Sequence, residues 1–119
     1  LAVDRLNEKI SSLYNQFQPG VLRLIRTAID AAHRAGNGKF TGMCGEMGAD
    51  PAGALLLLGL GLSEFSVNPS ELLKIKKIIT SVSRAHAQEV ANQAMQLGTA
   101  DEVQAFLNAA IPAELQVYL

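Results

Sequence analysis

The single cysteine of this chain is the residue best suited to chemistry. Cys44 lies where a predicted strand passes into a glycine-rich loop, and Gly45, Glu46 and Gly48 follow it. In parallel α/β folds the carboxyl ends of the strands form the ligand-binding face, and glycines let the backbone approach a small ligand closely. A lone cysteine is more often a small buried apolar residue, and no His or Lys pattern marks Cys44 as a nucleophile. The spacing alone therefore leaves a reactive and a structural thiol both open.

The other candidates for chemistry are basic side chains. Arg5 stands in a predicted amphipathic helix, where an arginine is most often a surface cation. His33 falls late in a helix beside its apolar face, and His86 lies in the first turn of another. Both histidines are expected to be solvated or structurally satisfied. Three lysines are expected to form the solvent face of one helix: Lys74, Lys76 and Lys77.

Apolar residues three or four positions apart predict six helices that must position these side chains. Their N-terminal signals are Asp50 before Pro51, Asn68 before Pro69, and a capping box that begins at Thr99. The predicted helices cover residues 5–17, 21–32, 51–58, 70–81, 84–97 and 100–110. Glycines are placed to end the second, third and fifth helices: Gly36, Gly59 to Gly61, and Gly98.

The apolar positions also predict which helix faces are buried. The stripe of the second helix includes Leu24 and Ile29, and that of the fourth includes Leu72, Ile75 and Ile79. The helix over residues 51–58 is apolar almost all round, and a helix without a polar face must be covered on more than one side. In a chain this small, that pattern suggests packing into a larger assembly.

Two short strands complete the pattern, over residues 39–44 and 64–67, with a loop over residues 45–49 after the first. Alternating helices and strands are typical of a parallel α/β sheet, in which each crossover helix covers a short apolar strand. Two strands do not make an independently stable sheet. The sequence therefore predicts a segment of an α/β domain followed by a helical tail.

Composition excludes several classes of protein. The 119 residues hold 10 Lys and Arg against 11 Asp and Glu, which leaves no basic excess for nucleic acid or an anionic membrane surface. The longest uncharged stretch, residues 51–63, is too short and too rich in glycine to cross a bilayer. One cysteine and no signal peptide favour a cytoplasmic origin. The chain opens at Leu1 without an initiator Met, which suggests a piece of a longer protein.

Several separated blocks of this sequence resemble the last part of Enzyme I of the bacterial phosphotransferase system. The resemblance covers residue 1 to about residue 111, and the blocks follow the same order at compatible distances. One departure is the order of Gly48 and Ala49, which the family usually reverses. The blocks are Leu1-Ala2-Val3-Asp4-Arg5, Val21-Leu22-Arg23-Leu24-Ile25, Gly42-Met43-Cys44-Gly45-Glu46-Met47, Leu55 to Leu62, and Glu64-Phe65-Ser66.

The resemblance implies a fold and an activity. Residues 1–111 would form the C-terminal portion of a phosphoenolpyruvate-binding (β/α)8 TIM barrel, as its last βα units plus C-terminal helices. Residues 112–119 would be a tail of unknown role. Enzyme I moves the phosphoryl group of phosphoenolpyruvate to one of its own histidines and on to the phosphocarrier protein HPr for sugar uptake. It is a cytoplasmic homodimer that uses Mg2+.

The resemblance also assigns roles to residues. Cys44 would donate the proton to the pyruvate enolate, because a thiol holds its proton at neutral pH yet is acidic enough to protonate a carbanion-like carbon. Arg5 would bind the substrate, because its planar fork matches phosphate and carboxylate. The Mg2+ ligands and the phospho-accepting histidine of the family would lie upstream of Leu1, so no metal ligand is expected in this chain. Residues 1–119 alone are therefore expected to be inactive.

Two alternatives remain beside Enzyme I. Pyruvate phosphate dikinase and phosphoenolpyruvate synthase share the barrel and the cysteine block, although the blocks at residues 1–5 and 59–66 favour Enzyme I. The other alternative is a non-catalytic dimerising module that pairs its apolar helix with another chain.

Overall fold

The computed structural model describes residues 2–119 as a helical chain with a small parallel sheet. Leu1, the first residue of the block that ends at Arg5, lies outside the described residues. Two 3₁₀ helices flank the regular elements, over Glu8–Leu13 and Ala113–Tyr118. The α-helices are α1 (Pro19–Ala35), α2 (Glu46–Ala49), α3 (Pro51–Leu60), α4 (Pro69–Ser81), α5 (Arg84–Ala94) and α6 (Ala100–Ala110). The strands are β1 (Gly42–Met43) and β2 (Glu64–Phe65).

The two strands pair in parallel, with Gly42 opposite Glu64 and Met43 opposite Phe65. Helices α2 and α3 form the crossover between them, as the alternating pattern predicts. Both strands are shorter than the predicted ranges of residues 39–44 and 64–67, because each has one neighbour within the described chain. The predicted loop over residues 45–49 is wrong, since residues 46–49 form the single turn of α2.

Helix α3 is the centre of the hydrophobic core. Leu55, Leu56 and Leu57 have no exposed surface, and every residue from Pro51 to Leu57 is buried. The most extensive contact of α3 is with α5, and α2, α4 and α6 cover its other sides. The sequence pattern is right that α3 needs cover on several sides. It is wrong that a larger assembly must supply this cover, because the chain's own helices do.

The first predicted helix, over residues 5–17, is wrong. Only a 3₁₀ helix forms, and Leu6 on its expected apolar face is 85% exposed. The cause is local, because the side chains of Asp4, Asn7 and Asn15 each accept a hydrogen bond from the backbone N–H two residues on. Such bonds offer the backbone an alternative to the helical ladder. Pro19 then begins α1 as its first residue.

Helices α1 and α4 are predicted correctly in position, but their buried faces differ from the prediction. Helix α1 buries Ile29 as expected, yet Leu24 is 59% exposed. Helix α4 buries Ile75 and also Ile78, whereas Leu72 is 52% exposed. The apolar stripes of both helices are wider than the surface that the rest of this chain covers.

Two predicted helix ends also differ. Gly59 does not break α3, which continues to Leu60 and ends at Gly61 in the left-handed conformation, φ 91°. Helix α5 ends at Ala94 instead of Leu97, because the N–H groups of Gln96 and Leu97 bond to carbonyls three residues back in tighter turns.

The N-terminus of α6 offers a direct test of the capping box. Thr99 Oγ1 accepts a hydrogen bond from Glu102 N at 3.2 Å, and Glu102 Oε2 accepts one from Thr99 N at 3.1 Å. We expect Thr99→Ala to lower the free energy of unfolding by about 1 kcal/mol, because Glu102 N loses its acceptor. Urea denaturation of the chain measures the change. The matched control is Thr80→Ala, whose hydroxyl donates only to carbonyls of its own helix, those of Lys76 and Lys77. An equal effect of both variants would contradict the prediction.

The segment over residues 112–119 joins the core. Leu115 is 1% exposed and belongs to the main apolar cluster, whereas the neighbouring Val117 is 82% exposed. Within residues 2–119, no helix has both the length and the apolar composition needed to cross a bilayer.

Candidate functional site

A cavity of about 1090 Å³ lies at the carboxyl ends of the two strands. Cys44 and Ser66 line it, and each directly follows its strand. Arg5 comes to the same cavity from the N-terminal segment, and Tyr118 comes from the C-terminal 3₁₀ helix. The two side chains that the resemblance singles out, Cys44 and Arg5, therefore share one cavity.

Close packing fixes the backbone around Cys44. Met43 O accepts a hydrogen bond from Ser66 N at 2.9 Å, which ties the end of β1 to the end of β2. After Cys44, Gly45 is the N-cap of α2, and Met47 on that turn is 3% exposed and anchors it in the core. Cys44 itself is exposed. Within the described residues, no part of the chain buries this thiol as a core side chain.

Helix α3 begins next to the same turn because Asp50 caps it. The Asp50 side chain accepts a hydrogen bond from Gly53 N at 3.0 Å, as the Asp-Pro pattern predicts. A Cβ at Gly53 would overlap the carbonyl oxygen of Met47, so α2 and α3 approach each other too closely for any side chain there. The turn that follows Cys44 is consequently held by the most buried helix of the chain.

Arg5 is positioned by a turn. Asp4 Oδ1 accepts a hydrogen bond from Leu6 N at 3.0 Å, and Asp4 O accepts one from Asn7 N at 3.1 Å. An aspartate that bonds the backbone two residues on fixes a compact turn, here with Arg5 near its apex. The Arg5 side chain is exposed and borders the cavity. Asp4 therefore fixes the backbone from which the Arg5 side chain extends, a role that the sequence analysis missed.

Lys74 also lines the cavity, which corrects its assignment to the solvent face of α4. It forms an ion pair with Glu71 one turn earlier, and the two side chains are 27% and 33% exposed. Lys76 and Lys77 are exposed, as predicted. The sequence position of Lys74 could have predicted this, because α4 begins shortly after β2 ends and its first turns lie beside the strand ends.

The histidines lie elsewhere. His33 and His86 are exposed. His33 borders a second cavity of about 410 Å³ near the amino ends of the strands, together with Arg84. Across residues 2–119, no three His, Cys, Asp or Glu side chains are grouped so that they could hold a metal ion.

Over most of its length the chain is similar to known proteins. Residues 1–84 match the model of the family described as PEP-utilising enzyme, PEP-binding domain. A phosphoenolpyruvate-protein phosphotransferase of Listeria monocytogenes serovar 1/2a is 45% identical over 103 residues, which is 87% of this chain and 18% of that protein. The protein of the same name from Staphylococcus epidermidis is 44% identical over 108 residues, 91% of this chain and 18% of its own length.

The aligned part of both relatives covers most of this chain. The chain spans only about a fifth of the length of the relatives that it matches. The family match alone covers more than half of the 119 residues, including Arg5 and Cys44. The chain therefore belongs to the family of PEP-utilising enzymes, and its matched residues are part of their PEP-binding domain.

Proposed function

We propose that this chain is the C-terminal part of a phosphoenolpyruvate-protein phosphotransferase, Enzyme I, and that the cavity at the strand ends binds phosphoenolpyruvate. The observation that supports this most is the shared cavity of Cys44 and Arg5, an acid and a permanent cation at the carboxyl ends of parallel strands. Relatives that carry this name align with most of the chain.

Cys44 acts as a general acid in this proposal. When the phosphoryl group leaves phosphoenolpyruvate for a histidine of the longer protein, the bond between phosphorus and the enol oxygen breaks and an enolate remains. The methylene carbon of the enolate takes the proton from Cys44 Sγ, which gives pyruvate and a thiolate that solvent reprotonates. An exposed thiol at the cavity wall suits this step because the carbon must reach it directly.

Arg5 supplies charge. Its guanidinium can donate two parallel hydrogen bonds to a phosphate or carboxylate, and its charge opposes the negative charge that develops as the phosphoryl group leaves. The resemblance implies Mg2+ with ligands that lie upstream of Leu1, and no step here goes through the ion. We therefore expect no turnover by the 119 residues alone.

The remaining parts of the longer protein explain the surface of this chain. We infer that residues 1–111 complete a TIM barrel, because a sheet of two strands is marginal by itself. Large apolar side chains also stay exposed where further barrel units would cover them: Leu6 at 85%, Leu13 at 57%, Phe40 at 66% and Leu73 at 77%. HPr as phosphoryl acceptor, a homodimer, sugar uptake and a cytoplasmic location belong to the same proposal.

The first test is substrate affinity. In the longer protein, Arg5→Ala is expected to weaken binding of phosphoenolpyruvate by a factor of about 10 to 100, the range for loss of a hydrogen bond to a charged group. Arg5→Lys keeps the charge but not the fork and should fall in between. Isothermal titration calorimetry measures all three proteins.

The matched control is Arg23→Ala, an exposed arginine on α1 that does not line the cavity. It should bind phosphoenolpyruvate as the unmodified protein does. Equal affinity of the Arg5 and Arg23 variants would argue against a substrate-binding role for Arg5.

The alternative of a dimerising module gains little from the structure. That alternative rests on the apolar helix α3. Helices α2, α4, α5 and α6 of the same chain cover α3 on several sides. Pyruvate phosphate dikinase and phosphoenolpyruvate synthase remain the closer alternative, and phosphoryl transfer to purified HPr would distinguish Enzyme I from both.

A further inference from the structure

The turn between α1 and β1 contains Asn37-Gly38, which belongs neither to the hydrophobic core nor to the cavity. Asn37-Gly38 lies between Gly36 and Lys39, and Lys39 N donates a hydrogen bond to Gly36 O at 3.0 Å, which closes the turn. Both central residues have positive φ, 54° at Asn37 and 70° at Gly38. Such a two-residue turn favours Asn-Gly, because few other residues adopt this conformation readily.

We propose that Asn37 is a site of spontaneous deamidation in the folded protein, with water as the only co-reactant. The nitrogen of Gly38 attacks Asn37 Cγ and forms a carbon–nitrogen bond, and the bond from Cγ to Nδ2 breaks. Ammonia leaves with the proton from the Gly38 nitrogen, and a five-membered succinimide remains. Water then opens either carbonyl of this ring, which gives aspartate or isoaspartate.

The attacking nitrogen is accessible. Within the described residues, Gly38 N donates no hydrogen bond, so the attack breaks none. A Cβ built on Gly38 would meet nothing within 4 Å, so the surroundings of Gly38 are open. Glycine also lacks the side chain that would hinder approach to Cγ. Asn37 is exposed, so the water that opens the ring can reach it.

The other asparagines of the chain are restrained, which makes them internal controls. The side-chain oxygens of Asn7 and Asn15 accept hydrogen bonds from Lys9 N at 3.0 Å and Phe17 N at 2.8 Å. Pro69 follows Asn68 and has no N–H to lose. Asn92 and Asn108 lie inside α5 and α6, where helical geometry holds the next backbone nitrogen.

The consequence is local to the start of β1. Either product adds one negative charge to a chain of net charge −1. Isoaspartate also adds one carbon to the backbone path, in a turn whose single closing hydrogen bond joins Lys39 to Gly36. The modification therefore changes the link from α1 to the strand that ends next to Cys44. This inference does not depend on the proposed function.

The experiment incubates the folded 119-residue chain in mildly alkaline buffer and follows it by intact mass, ion-exchange chromatography and peptide mapping. We expect a mass gain of about one dalton per chain, confined to the peptide that contains Asn37. The gain should be at least about tenfold faster there than at any other asparagine. Isoaspartyl methyltransferase should label the same peptide.

Asn37→Gln is the matched variant, because glutamine keeps the amide but would need a slower six-membered ring. It should lose the mass gain and remain folded, since the Asn37 side chain is exposed and the cost of glutamine at positive φ is confined to this turn. A chain denatured in urea serves as the reference for the unrestrained reaction. Absence of the gain in the folded chain while the denatured chain reacts, or an equal gain at the other asparagines, would overturn the proposal.

Discussion

Replacing Cys44 with alanine is expected to lower pyruvate formation by the longer protein by a factor of about 100 to 10,000, the range for loss of a general acid. Binding of phosphoenolpyruvate should change by less than about twofold, since the thiol is exposed and fills no space in the core. Cys44→Ser should be nearly as slow, because a hydroxyl is a far weaker acid than a thiol. Steady-state pyruvate release and calorimetric affinity measure the two effects separately.

The control for Cys44 is Ser63→Ala, which removes a polar group from the opposite end of the same sheet. Ser63 precedes β2 and does not line the cavity that Cys44 and Arg5 share. It should leave pyruvate formation almost unchanged. A parallel loss of affinity and rate in Cys44→Ala would assign Cys44 a structural role, and an undiminished rate would assign the proton to another group.

The second large effect concerns stability and comes from Gly59, inside α3. A Cβ at this position would overlap the carbonyl oxygen of Ala87 on α5 and would lie 2.7 Å from Ala91 Cβ. We expect Gly59→Ala to lower the free energy of unfolding by about 3 kcal/mol or more, because the two helices must separate. Helix propensity alone predicts the opposite, a gain of about 1 kcal/mol. Urea denaturation therefore decides between the two by the sign of the change.

Gly98→Ala is the comparison for Gly59. At Gly98 the nearest atom to a new Cβ is Glu102 Oε2, at 3.6 Å and at the end of a flexible side chain. Its free energy of unfolding should stay within about 0.5 kcal/mol of the unmodified chain. If Gly59→Ala also stays in that range, the α3–α5 contact is looser than the structure describes.

Local signals predicted much of this fold. The caps at Asp50 and Thr99 and the glycine after α1 depend on neighbours in sequence, so their helices start or end close to the predicted residues. The parallel pairing also followed from the order of elements. The failures arose where two local preferences compete, as in residues 4–17, where asparagine and aspartate side chains displaced a helix that apolar spacing favoured.

The faces of α1 and α4 were mispredicted for a different reason. Apolar spacing identifies which side of a helix prefers burial, but it cannot say which part of that stripe this chain covers. Leu24 and Leu72 are exposed because the described residues provide no cover at those positions. The proposed barrel would explain these exposed residues, because its other units would cover the rest of each apolar stripe.

The candidate site was predicted in part. The position of Cys44 after a strand followed from the sequence, whereas the proposed role of Arg5 rests only on the resemblance. That Tyr118 shares the cavity could not be predicted, because the packing of the C-terminal segment brings it there. The spacing of residues in a sequence does not predict which distant side chains meet in the folded chain.

The residues of the cavity wall also predict when the site forms during folding. It combines residues near both ends of the chain, from Arg5 to Tyr118, with the turn after β1. Contacts between residues far apart in sequence form late in folding, because the loop entropy must be overcome first. We therefore expect the packing of α3 against α5 to precede the closure of the cavity. We expect native-state hydrogen exchange to protect α3 longest, and the cavity walls to open in smaller fluctuations that leave the core intact.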